Sequence, residues 1–132
     1  MQRIAFYFAA LLGGLTLLTG CQTAASKVIN LTEADNGRAV RVAKHEPIQI
    51  VLEGDYMTGN TWDLVDWDAK VIVMKGPPQF VPGNPTSGES GKFTFNFTTI
   101  AGGQTNLRIV YVREKERTAP PMKTFAIIVT VD

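Results

Sequence analysis

Apolar and polar residues alternate along much of the chain after residue 28, with the period of two that is typical of half-buried β-strands. The alternation is clearest over residues 92–98, where Phe93, Phe95 and Phe97 fall on one face. Clusters of Gly, Pro, Asn and Ser separate the alternating segments. The pattern predicts strands at residues 39–43, 47–52, 61–65, 71–74, 92–98, 106–112 and 123–131.

These short strands, with turns at fairly regular intervals, favour an all-β sandwich. No segment combines a 3.6-residue apolar period with helix caps. The three phenylalanines of residues 92–98 are expected in the core. Residues 76–91 are expected to be one long loop, and residues 113–121 a charged loop.

The first 20 residues have a different pattern. Arg3 precedes a mostly apolar segment, residues 4–18, which is shorter than the roughly 20 residues of a membrane-spanning helix and typical of a secretory signal peptide. The segment ends in Leu18-Thr19-Gly20-Cys21, which resembles the bacterial lipobox, in which the cysteine receives diacylglycerol. We expect a signal peptide at 1–20, a lipidated tether at 21–27 and a folded domain at 28–132. An uncleaved signal anchor is the alternative.

Localisation and charge follow from this division of the chain. By resemblance to enterobacterial sorting rules, Gln22 favours the outer membrane, so we expect a lipid-anchored protein of the bacterial cell envelope, facing the periplasm or the surface. Cleavage removes Arg3, one of 13 basic residues, and none of the 12 acidic residues. The mature domain is then neutral, without the basic footprint of a nucleic-acid-binding protein. Cys21 is the only cysteine, so no internal disulfide forms. As a separate expectation, the protein is a monomer.

Residues with catalytic or metal-binding chemistry are sparse. His45 is the single histidine and lies in a polar segment typical of a turn. Gly88-Glu89-Ser90-Gly91 lacks the spacing of a serine-nucleophile elbow. Asp63, Asp66 and Asp68 lack the spacing of a calcium loop and are interpreted as a solvated acidic turn. We predict no catalytic residue, metal or cofactor and interpret the chain as a binding module. General acid–base chemistry by a carboxylate pair remains a weaker alternative.

In a binding module of this kind, function is expected in loops that the rigid sandwich positions. Three such segments stand out, at residues 55–62, 88–91 and 113–118. Alternate connections of a Greek-key sandwich emerge at the same end, so these three segments are expected to form one edge.

In order and spacing, the three segments resemble the inhibitory loops of the chagasin-type inhibitors of papain-like cysteine peptidases, and the resemblance extends over residues 31–131. The family's loops have the sequences Asn-Pro-Thr-Thr-Gly-aromatic-x-Trp, Gly-x-Gly-Gly and Tyr-x-Arg-Pro-Trp. The matching positions here are Thr58, Gly59 and Trp62 in the first, Gly88 and Gly91 in the second, and Tyr111 and Arg113 in the third.

The resemblance implies an immunoglobulin-like β-sandwich of about seven or eight strands that inhibits a papain-like cysteine peptidase and is not an enzyme. The first loop would enter the catalytic cleft and the other two would grip its sides. The peptidase-binding residues implied in this way are Tyr56, Met57, Thr58, Gly59, Asn60, Trp62, Gly88, Glu89, Ser90, Gly91, Arg113, Glu114 and Lys115.

The same segments also depart from the family pattern. The differing positions are Asp55, Tyr56, Met57 and Asn60 in the first, Ser90 in the second, and Glu114 and Lys115 in the third. The third segment therefore lacks the aromatic side chain of the family, and aromatic anchors typically dominate interface energies. The alternative function is an envelope lipoprotein of the same fold that acts as a protein-binding adaptor without peptidase inhibition.

Overall fold

β-Branched and aromatic residues dominate the alternating segments, and in the computed structural model these segments form β-strands. The structure describes residues 27–132. The predicted signal peptide, Cys21, Gln22 and the tether up to residue 26 lie outside the described residues. Nine strands are present in the described part: β1 (Ile29–Thr32), β2 (Ala39–Val42), β3 (Pro47–Glu53), β4 (Asn60–Asp66), β5 (Ile72–Met74), β6 (Gln79–Val81), β7 (Lys92–Thr99), β8 (Gly103–Arg113) and β9 (Lys123–Val131).

The strands form two sheets. One has the order β1-β3-β7-β5, with β6 also pairing with β7, and the other has the order β2-β9-β8-β4. The β1–β3 and β2–β9 pairs are parallel and the remaining pairs are antiparallel. No helix within residues 27–132 has the length and apolar character needed to cross a membrane.

This architecture confirms the predicted all-β, immunoglobulin-like sandwich. Each of the seven strands predicted from alternation corresponds to one strand of the structure. The expected total of seven or eight is exceeded because β1 and β6 are also present, and β6 lies inside the segment 76–91 that was predicted to be loop. β1 has four residues and β6 has three, and β6 lies directly between Pro78 and Pro82, which are typical of loops.

The core lies between the two sheets, and alternate side chains of each strand enter it. Phe93, Phe95 and Phe97 are all buried, which confirms the core position predicted for them. The first sheet contributes Leu31, Ile48, Ile50, Leu52, Ile72, Phe93, Phe95 and Phe97, and the second contributes Val42, Trp62, Leu107, Ile109, Tyr111, Phe125, Ile127, Val129 and Val131.

Different connecting segments lie at the two ends of the sandwich. At one, β3 ends at Glu53 opposite Lys92, where β7 begins, and β8 ends at Arg113 opposite Asn60, where β4 begins. We call this the loop end. The opposite end, which we call the base, is formed by residues 27–28, 43–46, 67–71 and 100–103.

A 3₁₀ turn over Glu33–Asp35 ties the two sheets together between β1 and β2. The Glu33 carboxylate accepts a hydrogen bond from the Glu53 backbone N–H of β3 at 3.1 Å. The Asn36 side-chain oxygen accepts one from the Ala126 N–H of β9 at 2.8 Å. The turn therefore bridges both sheets through side chains.

Asp35 gives this turn a pH dependence. Its carboxylate accepts a hydrogen bond from the Thr32 backbone N–H at 2.9 Å and pairs with Arg38, and these contacts, the first above all, lower the pKa of Asp35. A carboxyl group with a lowered folded-state pKa stabilises the fold above its unfolded pKa, and this contribution is lost as the pH falls through the folded pKa. We expect Asp35→Asn to lower the free energy of unfolding by about 0.5–1 kcal/mol at neutral pH. In urea titrations the difference from wild type should disappear in strong acid, and a pH-independent difference would contradict this account.

Candidate functional site

Backbone hydrogen bonds join three loops at the loop end. They are loop 1 (residues 54–59), loop 2 (residues 82–91) and loop 3 (residues 114–122). The Gly54 N–H donates to the Gly91 carbonyl at 3.0 Å, and the Glu114 N–H donates to the Gly59 carbonyl at 2.9 Å. Loop 1 is thus held between loops 2 and 3.

Loop 1 is a capped turn. A 3₁₀ helix covers Tyr56–Thr58, and the Asp55 carboxylate accepts a hydrogen bond from the Met57 N–H at 3.0 Å. The Thr58 hydroxyl donates to the Asp55 carbonyl at 2.7 Å. Gly59 ends the turn with φ 82°, in the left-handed region that favours glycine. These bonds give the loop tip one defined shape.

An aromatic pair supports loop 1 from beneath. Trp62 is 3 % exposed and its indole N–H donates to the Glu53 carbonyl at 3.1 Å. The Tyr111 ring centroid lies 5.0 Å from that of Trp62, and the Tyr111 hydroxyl accepts the Asp55 N–H at 3.1 Å. Gly54 lies directly above this pair, since a Cβ there would be 2.9 Å from the Tyr111 ring. The loop therefore rests on the core.

The outer surface of loop 1 is apolar. Met57 is 83 % exposed at the tip and Tyr56 is 45 % exposed. The Tyr56 ring packs on Phe80, with centroids 5.8 Å apart, and Phe80 packs on the core residue Phe93 at 4.8 Å. Gly91 lies under the same ring, where a Cβ would be 2.5 Å from Phe80 Cε2. Phe80 therefore connects loops 1 and 2 with the core.

Loop 2 depends on glycines for its fold. The Asn84 carbonyl accepts the Glu89 N–H at 3.1 Å, which closes a turn in which Gly88 has φ 71°. Gly83 runs beneath this turn, where a Cβ would lie 2.0 Å from the Glu89 carbonyl oxygen and 2.5 Å from Ser90 backbone atoms. The backbone passes so closely here that only glycine fits at Gly83.

Loop 3 presents charged side chains. The Glu116 N–H donates to the Arg113 carbonyl at 3.0 Å, and the two side chains form an ion pair at 3.6 Å. Arg117 pairs with Asp63 of β4 at 3.3 Å. Exposed pairs of this kind contribute about 0–1 kcal/mol each. A shallow cleft of about 280 Å³ separates loops 1 and 3 and is lined by Thr58, Gly59, Arg113, Glu114, Lys115 and Glu116.

Comparison with protein families shows which family has a sequence pattern that matches this chain. The model of chagasin family peptidase inhibitor I42 matches residues 41–129, a range that includes all three loops. The chain belongs to the chagasin family of peptidase inhibitors. Because this family consists of protease inhibitors, the prediction that the chain is not an enzyme is confirmed.

Solved structures share the chagasin-type fold. The cysteine protease inhibitor EhICP2 from Entamoeba histolytica matches with a TM-score of 0.68 and 15 % identity, over 80 % of this chain and 95 % of its own. Amebosin matches with a TM-score of 0.60 and 28 % identity, over 80 % and 99 %. PbICP-C, whose structure is of a complex with falcipain-2, matches with a TM-score of 0.50 and 17 % identity, over 81 % and 91 %. No curated protein sequence matches the chain.

The residues predicted to bind a peptidase fall into two groups. Trp62 and Gly91 are buried, and Asn60 is half-buried with its side-chain amide donating to the Thr58 hydroxyl at 3.0 Å. These three support the loops from within. The remaining ten are exposed at the loop end: Tyr56, Met57, Thr58, Gly59, Gly88, Glu89, Ser90, Arg113, Glu114 and Lys115. Their contact with a peptidase stays a prediction.

Sequence reasoning did not select three residues that shape this chagasin-family site. Phe80 lies in a Gly- and Pro-rich segment, where one aromatic residue between polar neighbours was the available signal. Gly54 and Gly83 are needed because other parts of the chain pass close to them. Only the tertiary structure reveals such approaches.

The residues that were considered for catalysis or metal binding take part in turns and strands of the fold. His45 lies in an exposed turn with φ 65°, and its N–H donates to the Thr99 carbonyl at 2.9 Å. The acidic turn predicted for Asp63, Asp66 and Asp68 is wrong for the first two, which lie in β4; Asp68 follows the strand, and its carboxylate accepts the Lys70 N–H at 2.9 Å. Within residues 27–132, no three His, Cys, Asp or Glu side chains are grouped closely enough to hold a metal ion.

Proposed function

We propose that the mature domain inhibits papain-like cysteine peptidases by inserting loop 1 into the catalytic cleft, with loops 2 and 3 against its sides. The observation that carries this proposal is the apolar tip of loop 1, where Met57 projects from a turn held on both flanks and from beneath. A loop that is ordered before binding has little conformational entropy left to lose. Three short contacts can then reach nanomolar affinity, which requires about −12 kcal/mol.

The proposed mechanism is steric occlusion without covalent chemistry. Papain-like peptidases attack a peptide carbonyl with a cysteine paired to a histidine. In loop 1 the Thr58 N–H and the Gly59 N–H return to carbonyls of the same turn at 3.3 and 3.0 Å. The peptide groups at the tip are therefore held in a turn instead of the extended form of a substrate. We infer that loop 1 fills the cleft without being cleaved.

Loops 2 and 3 would supply polar contacts at the rim of the cleft. Glu114 and Lys115 are exposed beside loop 1, where an aromatic anchor stands in the family pattern. Rim charges change association rates and salt dependence more than affinity. We therefore propose that loop 1 provides most of the binding energy and that loop 3 contributes selectivity.

We also propose that residues 1–20 are a cleaved signal peptide and that Cys21 carries the lipid of a bacterial envelope lipoprotein. The lipobox-like segment before Cys21 supports this proposal. Residues 21–27 would tether the monomeric domain 28–132, with Gln22 directing it to the outer membrane. A diacylglycerol combined with an N-acyl chain gives stable anchoring, which a single acyl chain does not.

A second candidate function is protein binding at the loop end without inhibition. The observation that favours it is the charged composition of loop 3, where Glu114 and Lys115 cannot supply the apolar anchor that a tight interface usually contains. An envelope protein with a complementary charged rim would be the partner in that case.

Titration of papain and a cathepsin-L-like enzyme with the domain comprising residues 23–132 separates these functions. We expect tight inhibition that is fully reversed on dilution, because no covalent bond forms. Circular dichroism should first establish that the domain is folded. A folded domain that leaves both enzymes active at micromolar concentration would contradict the inhibitor proposal and favour the adaptor.

A further inference from the structure

The chain enters the described structure at the base. β1 begins at Ile29, which pairs with Ile48 near the start of β3, so Lys27 and Val28 lie at the end opposite to the loops. Loop 1 follows the other end of β3, after Glu53. β3 has seven residues, which separates the two ends by about 23 Å. The point of attachment and the proposed inhibitory surface therefore lie at opposite ends of the sandwich.

Three apolar side chains are exposed at the base. Val28 is 45 % exposed, Ile100 is 39 % exposed, and Trp67, next to Asp68, is 42 % exposed. Ile100 directly follows β7, and its N–H donates to the Val71 carbonyl at 2.8 Å, which fixes its position. Single exposed apolar residues are common on protein surfaces. Here the exposed apolar residues lie at the same end as the point where the chain enters the described structure.

Charged residues surround these apolar side chains. Lys27, Lys44 and Lys70 are exposed at this end of the molecule. Carboxylates lie among these lysines: Glu46 accepts the Ala43 N–H at 2.8 Å, Asp68 accepts the Lys70 N–H at 2.9 Å, and Asp132 pairs with Arg41 at 3.4 Å. The base is therefore of mixed charge. Lysine side chains can lie along an apolar surface while their ammonium groups reach polar headgroups.

The length of the tether limits where the base can lie. Lys27 is six residues after Cys21, a distance of at most about 20 Å for a fully extended chain. A lipid on Cys21 therefore keeps the base close to the bilayer surface, whichever way the domain turns. The base residues are then at a high local concentration relative to the headgroups.

We propose that the base docks on the lipid surface to which Cys21 is anchored, with Val28 and Ile100 in the headgroup layer and the lysine ammonium groups beside lipid phosphates. This proposal rests on the lipid anchor of the proposed function and adds an orientation to it. The docked domain stands upright, and loop 1 faces away from the bilayer, where a soluble peptidase can reach it without contacting the membrane.

Two engineered thiols test this orientation in the full lipidated chain. Cys21 is the only cysteine and its sulfur carries the lipid, so Ile100→Cys and Met57→Cys each provide one labelling site for an environment-sensitive fluorophore. The labelled proteins are reconstituted into vesicles of phosphatidylethanolamine and phosphatidylglycerol, with or without bromine atoms near the top of the acyl chains. We expect loss of fluorescence at position 100 in brominated vesicles and unchanged fluorescence at position 57.

A salt wash of the vesicles separates failure of the orientation from failure of the anchor. Protein that stays on the vesicles but shows no quenching at position 100, or equal quenching at both positions, would overturn the docked orientation and leave the anchor standing. Protein that washes off would overturn the anchor and the orientation together. Neither result bears on peptidase inhibition, which the domain without its lipid tests separately.

Discussion

A Met57→Glu variant is expected to inhibit papain at least about 100-fold less well than the wild-type domain, a loss of about 2.7 kcal/mol. Met57 is 83 % exposed at the tip of loop 1, so its replacement leaves the fold intact. In the proposed complex this side chain is enclosed by the cleft, and burial of an unpaired carboxylate is strongly unfavourable. The inhibition constant and the melting temperature of the variant together measure the effect.

Ile128→Glu is the matched control. Ile128 is an apolar residue, 39 % exposed, on the outer face of β9 and outside the three loops. The same added charge there should leave inhibition unchanged. If Met57→Glu were as potent as wild type, the tip of loop 1 would not lie in the cleft. If both variants lost inhibition equally, net charge would be the cause.

Gly83→Ala is expected to lower the free energy of unfolding by about 2–3 kcal/mol and to open loop 2. The added Cβ would lie 2.0 Å from the Glu89 carbonyl oxygen and 2.5 Å from Ser90 backbone atoms. Backbone atoms cannot rotate away as the end of a side chain can, so residues 89–90 must move. Urea unfolding measures the loss of stability, and a peptidase titration measures what the altered loop 2 costs in affinity.

Gly88→Ala provides the comparison within the same loop. Nothing lies within 4 Å of a Cβ at Gly88, but its φ of 71° strains any residue other than glycine. The expected cost is about 1–2 kcal/mol, from backbone conformation alone. A Gly88→Ala variant less stable than Gly83→Ala would contradict the close backbone approach at Gly83.

The strands of seven or more residues could be predicted from alternation because they are half-buried and long enough to show the period of two. The phenylalanines of β7 are the clearest case, since all three enter the core. β6 could not be predicted because its three residues, Gln79–Val81, lie between proline-rich turns. Its pairing with β7 is a tertiary interaction that leaves no local pattern.

The sequence indicated which loops form the candidate site but not the contacts that join them. Family-like motifs at Thr58, Gly88 and Arg113 indicated which loops to consider. The contacts that join them involve backbone groups, such as the Glu114 N–H on the Gly59 carbonyl, and any residue other than proline could supply such a group. The hydrogen bond from the Asp55 N–H to the Tyr111 hydroxyl joins residues 56 positions apart in the sequence, so a local periodic pattern cannot predict it.

The most direct test of the central claim is calorimetric titration of the domain into two forms of papain, one with an open cleft and one whose cleft is filled by a covalently bound peptidyl chloromethyl ketone. If loop 1 occupies the cleft, the domain binds the open enzyme tightly and the filled enzyme at least about 100-fold more weakly. Equal affinity for both forms, or no binding to the open enzyme, would contradict the claim.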